Sequence, residues 1–480
     1  MNRRMIFSTV GKMVTTEAGL LTLPLVCALW YKERCAWHIL LTMGVALVLG
    51  LAMTLLSRPK TRVIYAKEGF CITALAWLFM SAVGALPFFL SGEIPNYIDA
   101  FFETVSGFTT TGASILTDVE TMSKGLLFWR SFTHWIGGMG ILVFVMAILP
   151  GVADRSIHIM RAEMPGPVVG KIVPKAKDTA SVLYKIYIVM TVVLVILLCV
   201  GGMSFFESLI HAFGTAGTGG FGIKADSIAG YSPYLQWVIT VFMLLFGVNF
   251  NLYYLLLIRR FRTALQSTEL WVYISIVLAS VGLITANTLD LYAGFADALR
   301  HSAFQVSSII TTTGYATTDF DLWPGFSKGI LLTLMFVGAC AGSTGGGIKV
   351  SRVVLLVKSV FRQLRQLVHP RSVNAVKFEG RTVEDATLNG VGTYLAAYVF
   401  CFGIILILLF LESKNFVTHF SAAAACFNNI GPGMGMVGPT ANYAGYSAFS
   451  KIVLSFAMLL GRLEIYPLLI ALYPGTWRRK

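Results

Sequence analysis

The sequence predicts an all-α polytopic membrane protein, in which an N-terminal two-helix hairpin precedes four pseudo-repeats around one axis. Two observations predict this class. Hydrophobic residues make up 56% of the 480 residues and charged residues only 12%, which excludes an ordinary soluble protein. A threonine and glycine tetrad at 109–112 recurs at 311–314, with degenerate copies at 217–220 and 428–431. Four glycine-terminated copies indicate internal repetition.

The hairpin is predicted near 13–31 and 37–57, and it has no tetrad of its own. Each repeat is predicted to contain a helix, a short re-entrant helix ending in its tetrad, and a second helix. The outer helices are expected near 70–92 and 125–149, 180–203 and 233–257, 268–288 and 326–360, and 388–411 and 446–473. With the hairpin, these make about ten transmembrane helices. The predicted domain boundaries are 1–66 for the hairpin and 67–150, 151–258, 259–385 and 386–480 for the repeats.

The tetrads have the composition of an ion filter. The segment before the first one, 97–108, is too short to span a bilayer but long enough for a re-entrant helix. Its carboxyl end would direct a partial negative charge at the axis. Threonine and glycine in an extended loop can turn carbonyl oxygens toward a cation and replace its water shell. Close packing of transmembrane helices is the alternative for a single tetrad, but four copies favour a filter. The predicted filter residues are Thr110, Thr111, Gly112, Thr218, Gly219, Gly220, Thr312, Thr313, Gly314, Asn429, Ile430 and Gly431.

A gate is predicted from two features of the later repeats. The apolar stretch 326–361 is too long for one crossing, so the helix is expected to break in the glycine-rich segment 338–347. Such a loop is tolerated at membrane depth where it is buried in protein or lines a cavity. Arg462, in the last predicted span, needs an acceptor, since an unpaired arginine there costs about 2.5–3.5 kcal/mol. Glu464 faces elsewhere on a helix, so loop carbonyls or water are the expected partners. The predicted gate residues are Gly338, Gly342, Ser343, Thr344, Gly345, Gly346, Gly347, Lys349 and Arg462.

Neither gate feature is unique to a gate. Glycines also allow helices to pack closely, and a buried arginine also caps neighbouring helices. These structural roles remain as alternatives.

Charge placement predicts the orientation. The net charge is +14, and the basic residues concentrate in loops near 58–68, 150–178, 258–263 and 358–385 and at both termini. This is the positive-inside bias, so both termini are expected in the cytoplasm, and it does not indicate a nucleic-acid partner. Carboxylates follow three of the tetrads on the other side; they would form an acidic mouth or simply face solvent, and the sequence leaves both open. They are Asp118, Glu120, Asp226, Asp319 and Asp321.

Two glycine-rich segments only imitate nucleotide-binding motifs. Residues 217–222 match GxGxxG but follow an apolar membrane segment, and in 342–349 Ile348 stands where a phosphate-binding loop needs lysine. The seven cysteines are single, and the histidines share no ligand spacing. No enzyme activity and no organic cofactor are therefore expected.

Together with the filters, the segments 161–167, 338–349, 429–433 and 461–464 resemble the Trk/Ktr/HKT potassium transporters over nearly the whole chain. The N-terminal hairpin is similar to that of the bacterial Trk membrane subunits. The resemblance implies transported potassium, an intramembrane gate at 338–349 and a constriction at Arg462. It also implies a homodimer in the bacterial inner membrane and a cytosolic nucleotide-binding regulatory subunit of the TrkA type. The basic loops, particularly 362–381, are the expected docking surface, with anionic membrane lipid as the alternative.

The second and fourth tetrads depart from the threonine-rich pattern, so selectivity for potassium over sodium or rubidium does not follow from the sequence. The alternative function is a proton- or sodium-coupled secondary transporter with a midplane cation site. It predicts membrane-embedded carboxylates, and the spans offer few, chiefly Glu464. A non-conducting scaffold does not account for four filters.

Overall fold

The computed structural model describes residues 1–58, 65–140, 176–372 and 374–478, with no side-chain description for 176–180. The predicted motif at 161–167, the end of the helix predicted at 125–149 and most of the basic loop at 150–178 lie outside these residues. Within them the regular secondary structure is helical, apart from one antiparallel strand pair, β1 (Lys377–Phe378) and β2 (Arg381–Thr382), and one isolated bridge between Val337 and Ile348. The prediction of an all-α polytopic fold is confirmed.

Three helices precede the first repeat: α1 (Arg3–Leu20), α2 (Thr22–Trp30) and α3 (Cys35–Leu56). The first hairpin helix thus begins at Arg3, well before the predicted start, and is interrupted at Leu21. Helices α1 and α3 approach closely, since a β-carbon on Gly11 would lie 2.7 Å from the Gly50 carbonyl oxygen. This contact explains why the hairpin packs as a unit beside the repeats.

The helices that fall within the four predicted repeats follow in chain order. The first comprises α4 (Ala66–Gly84), α5 (Leu86–Ser91), α6 (Tyr97–Phe108) and α7 (Lys124–Gly138). The second comprises α8 (Ala176–Val200), α9 (Phe205–Gly217), α10 (Pro233–Phe246) and α11 (Phe250–Leu257). The third comprises α12 (Phe261–Leu265), α13 (Thr268–Thr288), α14 (Phe295–Ile310), α15 (Gly325–Phe336) and α16 (Val350–Val368). The fourth comprises α17 (Asp385–Leu409), α18 (Phe416–Phe427), α19 (Ala448–Arg462), α20 (Tyr466–Leu472) and α21 (Pro474–Trp477).

Six spans in the described residues are long and apolar enough to cross a membrane, or seven when the bent pair α10 and α11 counts as one. The other crossings predicted from the sequence fall on shorter or interrupted helices: α7, the α15 and α16 pair, and the α19 and α20 pair. Short helices flanking a break are the expected form of a span that contains an irregular loop at membrane depth.

Two predicted continuous helices are wrong. The span predicted at 233–257 is bent by 89° between α10 and α11. The side-chain oxygen of Asn249 accepts from the Asn251 amide and starts a new helix there. The span predicted at 446–473 is interrupted after Arg462, where Glu464 and Ile465 have φ of 52° and 68°. Arg462 therefore ends a helix and does not sit in the middle of one.

Candidate functional site: a ring of four loops and the loop beneath it

The four re-entrant helices α6, α9, α14 and α18 all end in one hydrogen-bonded motif. In the first, the Thr110 amide donates to the Gly107 carbonyl at 3.1 Å and the Thr111 amide donates to the Ser106 carbonyl at 2.9 Å. The same pair of bonds closes each of the other helices. This is a Schellman motif, which requires a left-handed residue just beyond the helix.

Glycine or asparagine usually fills that left-handed position, but three of the four loops use threonine. Such a conformation costs a β-branched residue about 1–3 kcal/mol, so the surroundings must enforce it. The four residues are Thr110, Thr218, Thr312 and Asn429, with φ between 55° and 58°.

Each loop then turns at a glycine that lies against the next loop. A β-carbon on Gly112 would overlap the Gly219 carbonyl oxygen of the second loop. The same overlap relates Gly220 to Thr313 and Gly314 to Ile430, and a β-carbon on Gly431 would lie 2.6 Å from the Thr111 carbonyl oxygen. The contacts therefore close a ring in the order one, two, three, four, and each of the four predicted filter segments takes part in it.

Side chains beside the ring make contacts both within single loops and between the fourth loop and the first. The hydroxyls of Thr109 and Thr111 lie 2.8 Å apart, as do those of Thr311 and Thr313. The side-chain Nδ2 of Asn429 donates to the Thr111 hydroxyl at 3.0 Å and to the Met458 carbonyl at 2.9 Å. The fourth loop, which lacks the threonines, is thus tied directly to the first.

A cavity of about 160 Å³ lies on one side of the ring, and all four loop glycines line it. The five carboxylates considered for an acidic mouth are not among its lining residues. Four of them accept hydrogen bonds within or between loops; for example, Glu120 accepts from the Ala225 amide at 3.1 Å and Asp321 accepts from the Gly435 amide at 3.0 Å. Their structural role is the one these contacts support.

A buried ion pair that sequence reasoning missed borders this cavity. The Arg130 guanidinium donates to Glu103 at 2.6 Å and to the Gly222 carbonyl at 3.1 Å, and lies 3.5 Å from the centre of the Phe221 ring. Glu103 also accepts from the Ile115 amide at 2.9 Å. The pair therefore holds the segments after the first two tetrads. The available signal was a carboxylate inside an apolar re-entrant helix.

The helix break predicted in the third repeat lies on the other side of the ring. Between α15 and α16, residues 337–349 are not helical, and the Gly338 amide donates to the Ile348 carbonyl at 2.7 Å, which closes the loop at its base. Glu269 accepts from the Ala341 amide at 2.8 Å and from the Ser351 amide at 2.9 Å. The carboxylate thus substitutes for the helical partners that these amides lack.

The bend between α10 and α11 forms a socket for this loop. The Cys340 amide donates to the Gly247 carbonyl and the Phe250 amide donates to the Gly342 carbonyl, each at 3.0 Å. The Thr344 hydroxyl donates to the Phe246 carbonyl at 3.2 Å. The free backbone groups of one broken helix are therefore satisfied by those of another.

The loop touches the ring itself. The Gly346 amide donates to the hydroxyl of Thr312, a predicted filter residue, at 2.6 Å, and a β-carbon on Gly346 would lie 2.6 Å from the Asn428 carbonyl oxygen. The loop 337–349 therefore lies directly against the ring on this side. An ion that passed through the ring in this direction would reach the loop next.

Arg462 ties the loop to the first repeat. Its guanidinium donates to the Thr344 carbonyl at 2.8 Å, to the Gly137 carbonyl at 2.5 Å and to the Gly138 carbonyl at 2.6 Å. The Thr344 carbonyl is a loop acceptor of the kind expected, whereas the Gly137 and Gly138 carbonyls lie at the end of α7 and match the alternative of an arginine that caps a neighbouring helix. Glu464 bonds instead to Arg352, which donates to its two oxygens at 3.0 and 2.5 Å. This pairing was not predicted, because the partners lie in different repeats.

Lys349 is a second cationic residue at the loop, together with Arg462. Its ammonium donates to the carbonyls of Gly345 and Gly346, and it lines a cavity of about 40 Å³ together with Arg462, Glu464 and loop glycines. All nine predicted gate residues lie in or against this loop. The geometry offers a ring of carbonyl oxygens suited to a dehydrated cation, followed by a loop held by cations.

Comparison with known proteins is consistent with this geometry. The TrkH family model, described as "Cation transport protein", matches residues 38–272 and 261–475. The Trk system potassium uptake protein TrkH of Salmonella typhimurium (strain LT2) is 36% identical over 486 residues and is covered over 100% of both chains. The Trk system potassium uptake protein TrkG of Escherichia coli (strain K12) is 32% identical over 95% of this chain and 94% of its own. The crystal structure of the potassium transporter TrkH from Vibrio parahaemolyticus superposes with a TM-score of 0.89 at 32% identity, covering 100% of both chains.

Proposed function

Because this chain belongs to the TrkH family of cation transport proteins, we propose that it takes up potassium through a channel-like pore whose filter is the ring of four loops. The observation that carries the proposal is the cyclic contact of Gly112, Gly220, Gly314 and Gly431, each with the loop that follows. A closed ring of backbone carbonyls can replace the hydration shell of a cation at several points at once. The names of the relatives, Trk system potassium uptake proteins, support potassium as the ion.

The loop 337–349 is the gate in this proposal. It is hydrogen-bonded to the filter through Thr312 and is held by Arg462. A potassium ion that leaves the ring would meet both a backbone obstruction and the cationic groups of Lys349 and Arg462. Opening requires that the three carbonyl contacts of Arg462 separate or move together. The irregular backbone supplies the alternative conformations that a gate needs.

A cytosolic nucleotide-binding regulatory subunit of the TrkA type would move the gate, and the chain would work as a homodimer. The word "system" in the names of the relatives supports more than one component. Helix α16 begins at the end of the loop, carries the exposed Arg365 in its last turn and is followed by the exposed Arg371. This continuity gives a docked partner a direct mechanical route to residues 337–349.

The proposed location is the bacterial inner membrane with both termini in the cytoplasm. Arg3 donates to the Trp477 carbonyl at 2.7 Å, so the two ends of the described chain lie on one side. The basic loops predicted for the cytoplasmic face share that orientation by the positive-inside rule.

One observation favours a second candidate, a proton-coupled secondary transporter. Glu17 in α1 is fully buried, and neither carboxylate oxygen has a hydrogen-bond partner among the described residues. A β-carbon on Gly84 would lie 2.9 Å from one of these oxygens and 3.1 Å from the Phe108 ring at the end of the first re-entrant helix. A carboxylate in this setting is costly when charged, which makes it a candidate proton carrier.

Flux of labelled potassium into liposomes tests the proposal. The purified chain is reconstituted with and without an imposed proton gradient, and sodium is the competing ion. A pore predicts flux that follows the potassium gradient alone, whereas a coupled transporter predicts accumulation driven by protons. Absence of potassium flux under both conditions, from protein that remains monodisperse, contradicts both candidates.

A further inference from the structure

An apolar groove runs along the surface between α10, α11 and α13. It has a volume of about 340 Å³, and only apolar surface lines it. Its walls include Leu245, Val248, Leu252, Tyr253, Tyr273 and Val277. In a membrane-embedded chain, such a groove is shaped to hold a hydrocarbon chain and excludes polar ligands.

Three arginines lie at one end of the groove. Leu256 and Ala264 belong to its lining, and the turn between them carries Arg259, Arg260 and Arg262, which are all exposed. None of the three forms an ion pair with a carboxylate in the described part of the chain. Their charge is therefore available to a ligand.

The same end bears an interfacial anchor. Trp271 is 53% exposed, and its indole nitrogen donates to the Leu265 carbonyl at 2.7 Å. A tryptophan with an exposed ring and a satisfied N–H is typical of the boundary between lipid tails and headgroups. The arginine turn is thus at headgroup level, while the groove extends to the level of the tails.

We propose that this groove binds an anionic phospholipid, with one acyl chain along α10, α11 and α13 and the headgroup phosphate against Arg259, Arg260 and Arg262. Charge complementarity selects this occupant, since each basic residue near a membrane surface favours anionic lipid by about fivefold. A second copy of the chain fits less well. In a symmetric dimer the same patch meets itself, so two arginine turns would face each other.

The occupant would contact the socket of the loop 337–349. The Tyr253 hydroxyl donates to the Leu245 carbonyl at 2.6 Å and the Tyr273 hydroxyl donates to the Leu244 carbonyl at 3.3 Å, so both groove tyrosines hold the end of α10. The backbone immediately after that end bonds to Cys340 and Gly342 of the loop. Anionic lipid is therefore a regulator of ion flux, an extension that rests on the proposed function.

Binding is tested first, without reference to flux. The full-length chain in bilayers receives a phosphatidylglycerol analogue with a photoreactive group in its acyl chain, or the matching phosphatidylcholine analogue, and labelled peptides are mapped. We expect peptides from 244–278 to be labelled by the anionic analogue at least tenfold more than by the zwitterionic one. The triple change R259Q, R260Q and R262Q should remove that preference, and Leu252→Trp, which fills the groove, should reduce labelling by both. The control variant R4Q, K12Q and K67Q removes the same charge from exposed positions on other elements. It should leave the labelling by both analogues unchanged.

Equal labelling by the two analogues, equal effects of both triple variants, or a groove that cross-links only to a second copy would each overturn the proposal. Potassium flux in liposomes with and without phosphatidylglycerol then tests regulation. Regulation is supported if the triple arginine variant loses the dependence of flux on phosphatidylglycerol and the control variant keeps it. Identical flux in the two kinds of liposome overturns regulation. Because labelling needs no flux, a failure of the transport function remains distinguishable from a failure of this site.

Discussion

The imidazole ring of His134 occupies the space that a β-carbon on Gly219 would need. The ring is fully buried and stacks on Phe221, with centroids 4.1 Å apart. The position of Gly219 carries Thr111, Thr313 and Ile430 in the other three loops. The departure of the second tetrad from the threonine pattern therefore has a steric cause, since α7 fills with a ring the volume that the other loops fill with their own side chains.

This contact predicts that substitutions at Gly219 and His134 have coupled effects on ion selectivity. We expect Gly219→Thr to abolish selective potassium flux, because the new side chain and the His134 ring compete for one volume. The double variant Gly219→Thr with His134→Ala should recover a substantial part of the potassium-to-sodium flux ratio. Gly222→Ala serves as the control, since its added β-carbon would meet nothing closer than 3.7 Å. Additive effects in the double-mutant cycle would show that the two positions are not coupled.

The ring contacts predict the effect of a methyl group on a filter glycine. Gly314 has φ of 84°, and its β-carbon would overlap the Ile430 carbonyl. Gly314→Ala should therefore move that carbonyl and lower the potassium-to-sodium flux ratio at least about tenfold, and Gly112→Ser should act similarly on the Gly219 carbonyl. Gly329→Ala, in α15, meets no atom within 4 Å and should leave flux and stability near those of the parent. Unchanged selectivity in both filter variants would argue that these carbonyls do not contact the ion.

Glu412 predicts a pH dependence of stability outside the membrane spans. Burial raises the pKa of this carboxyl, but hydrogen bonds from Ser450 and Ser447 at the start of α19 outweigh it, so its pKa lies below the usual value. The group therefore stabilises the fold above its unfolded pKa, and this contribution is lost as the pH falls through the folded pKa. We expect Glu412→Gln to cost less than about 1 kcal/mol at neutral pH, because solvent screens this surface charge, and progressively less toward acid. Thermal unfolding of both proteins from pH 3 to pH 7 gives the comparison, and a constant difference over that range contradicts the assignment.

Substitution of Glu17 distinguishes between the two candidate functions, the pore and the proton-coupled transporter. If the proposed pore is correct, Glu17→Gln keeps the shape of the side chain, removes a costly buried carboxylate and leaves potassium flux unchanged or the protein slightly more stable. If the buried carboxylate carries a proton, the same change abolishes proton-driven accumulation. Flux with and without a proton gradient, on the same reconstituted sample, distinguishes the two results.

The parts of this site that the sequence predicts are those with a local signature. The tetrads are visible as repeated letters, and the break between α15 and α16 follows from length, because no single crossing accommodates 326–361. The bend at 247–249 leaves only the helix-capping Asn249 as a local signal, and the interruption after Arg462 leaves none. Non-glycine residues take positive φ at Glu464 and Ile465, and the Arg352 to Glu464 pair joins elements 112 residues apart. Tertiary contacts enforce both, so neither could be predicted from neighbours in the chain.

Arg462 is predicted to restrain the gate, because its three carbonyl contacts join the loop 337–349 to the end of α7. We expect Arg462→Ala, or deletion of Gly345 to Gly347, to increase potassium flux per folded molecule and to weaken its dependence on the regulatory partner. Arg462→Lys keeps the charge but replaces a planar fork with a point donor that cannot bridge the same carbonyls, so its flux should fall between parent and alanine. A purely structural arginine predicts the opposite, since its removal leaves buried carbonyls unpaired and lowers the yield of folded protein without raising flux. Flux is therefore normalised to monodisperse protein and measured with and without the partner; if neither the alanine nor the deletion variant exceeds the parent, residues 337–349 and Arg462 are not the gate.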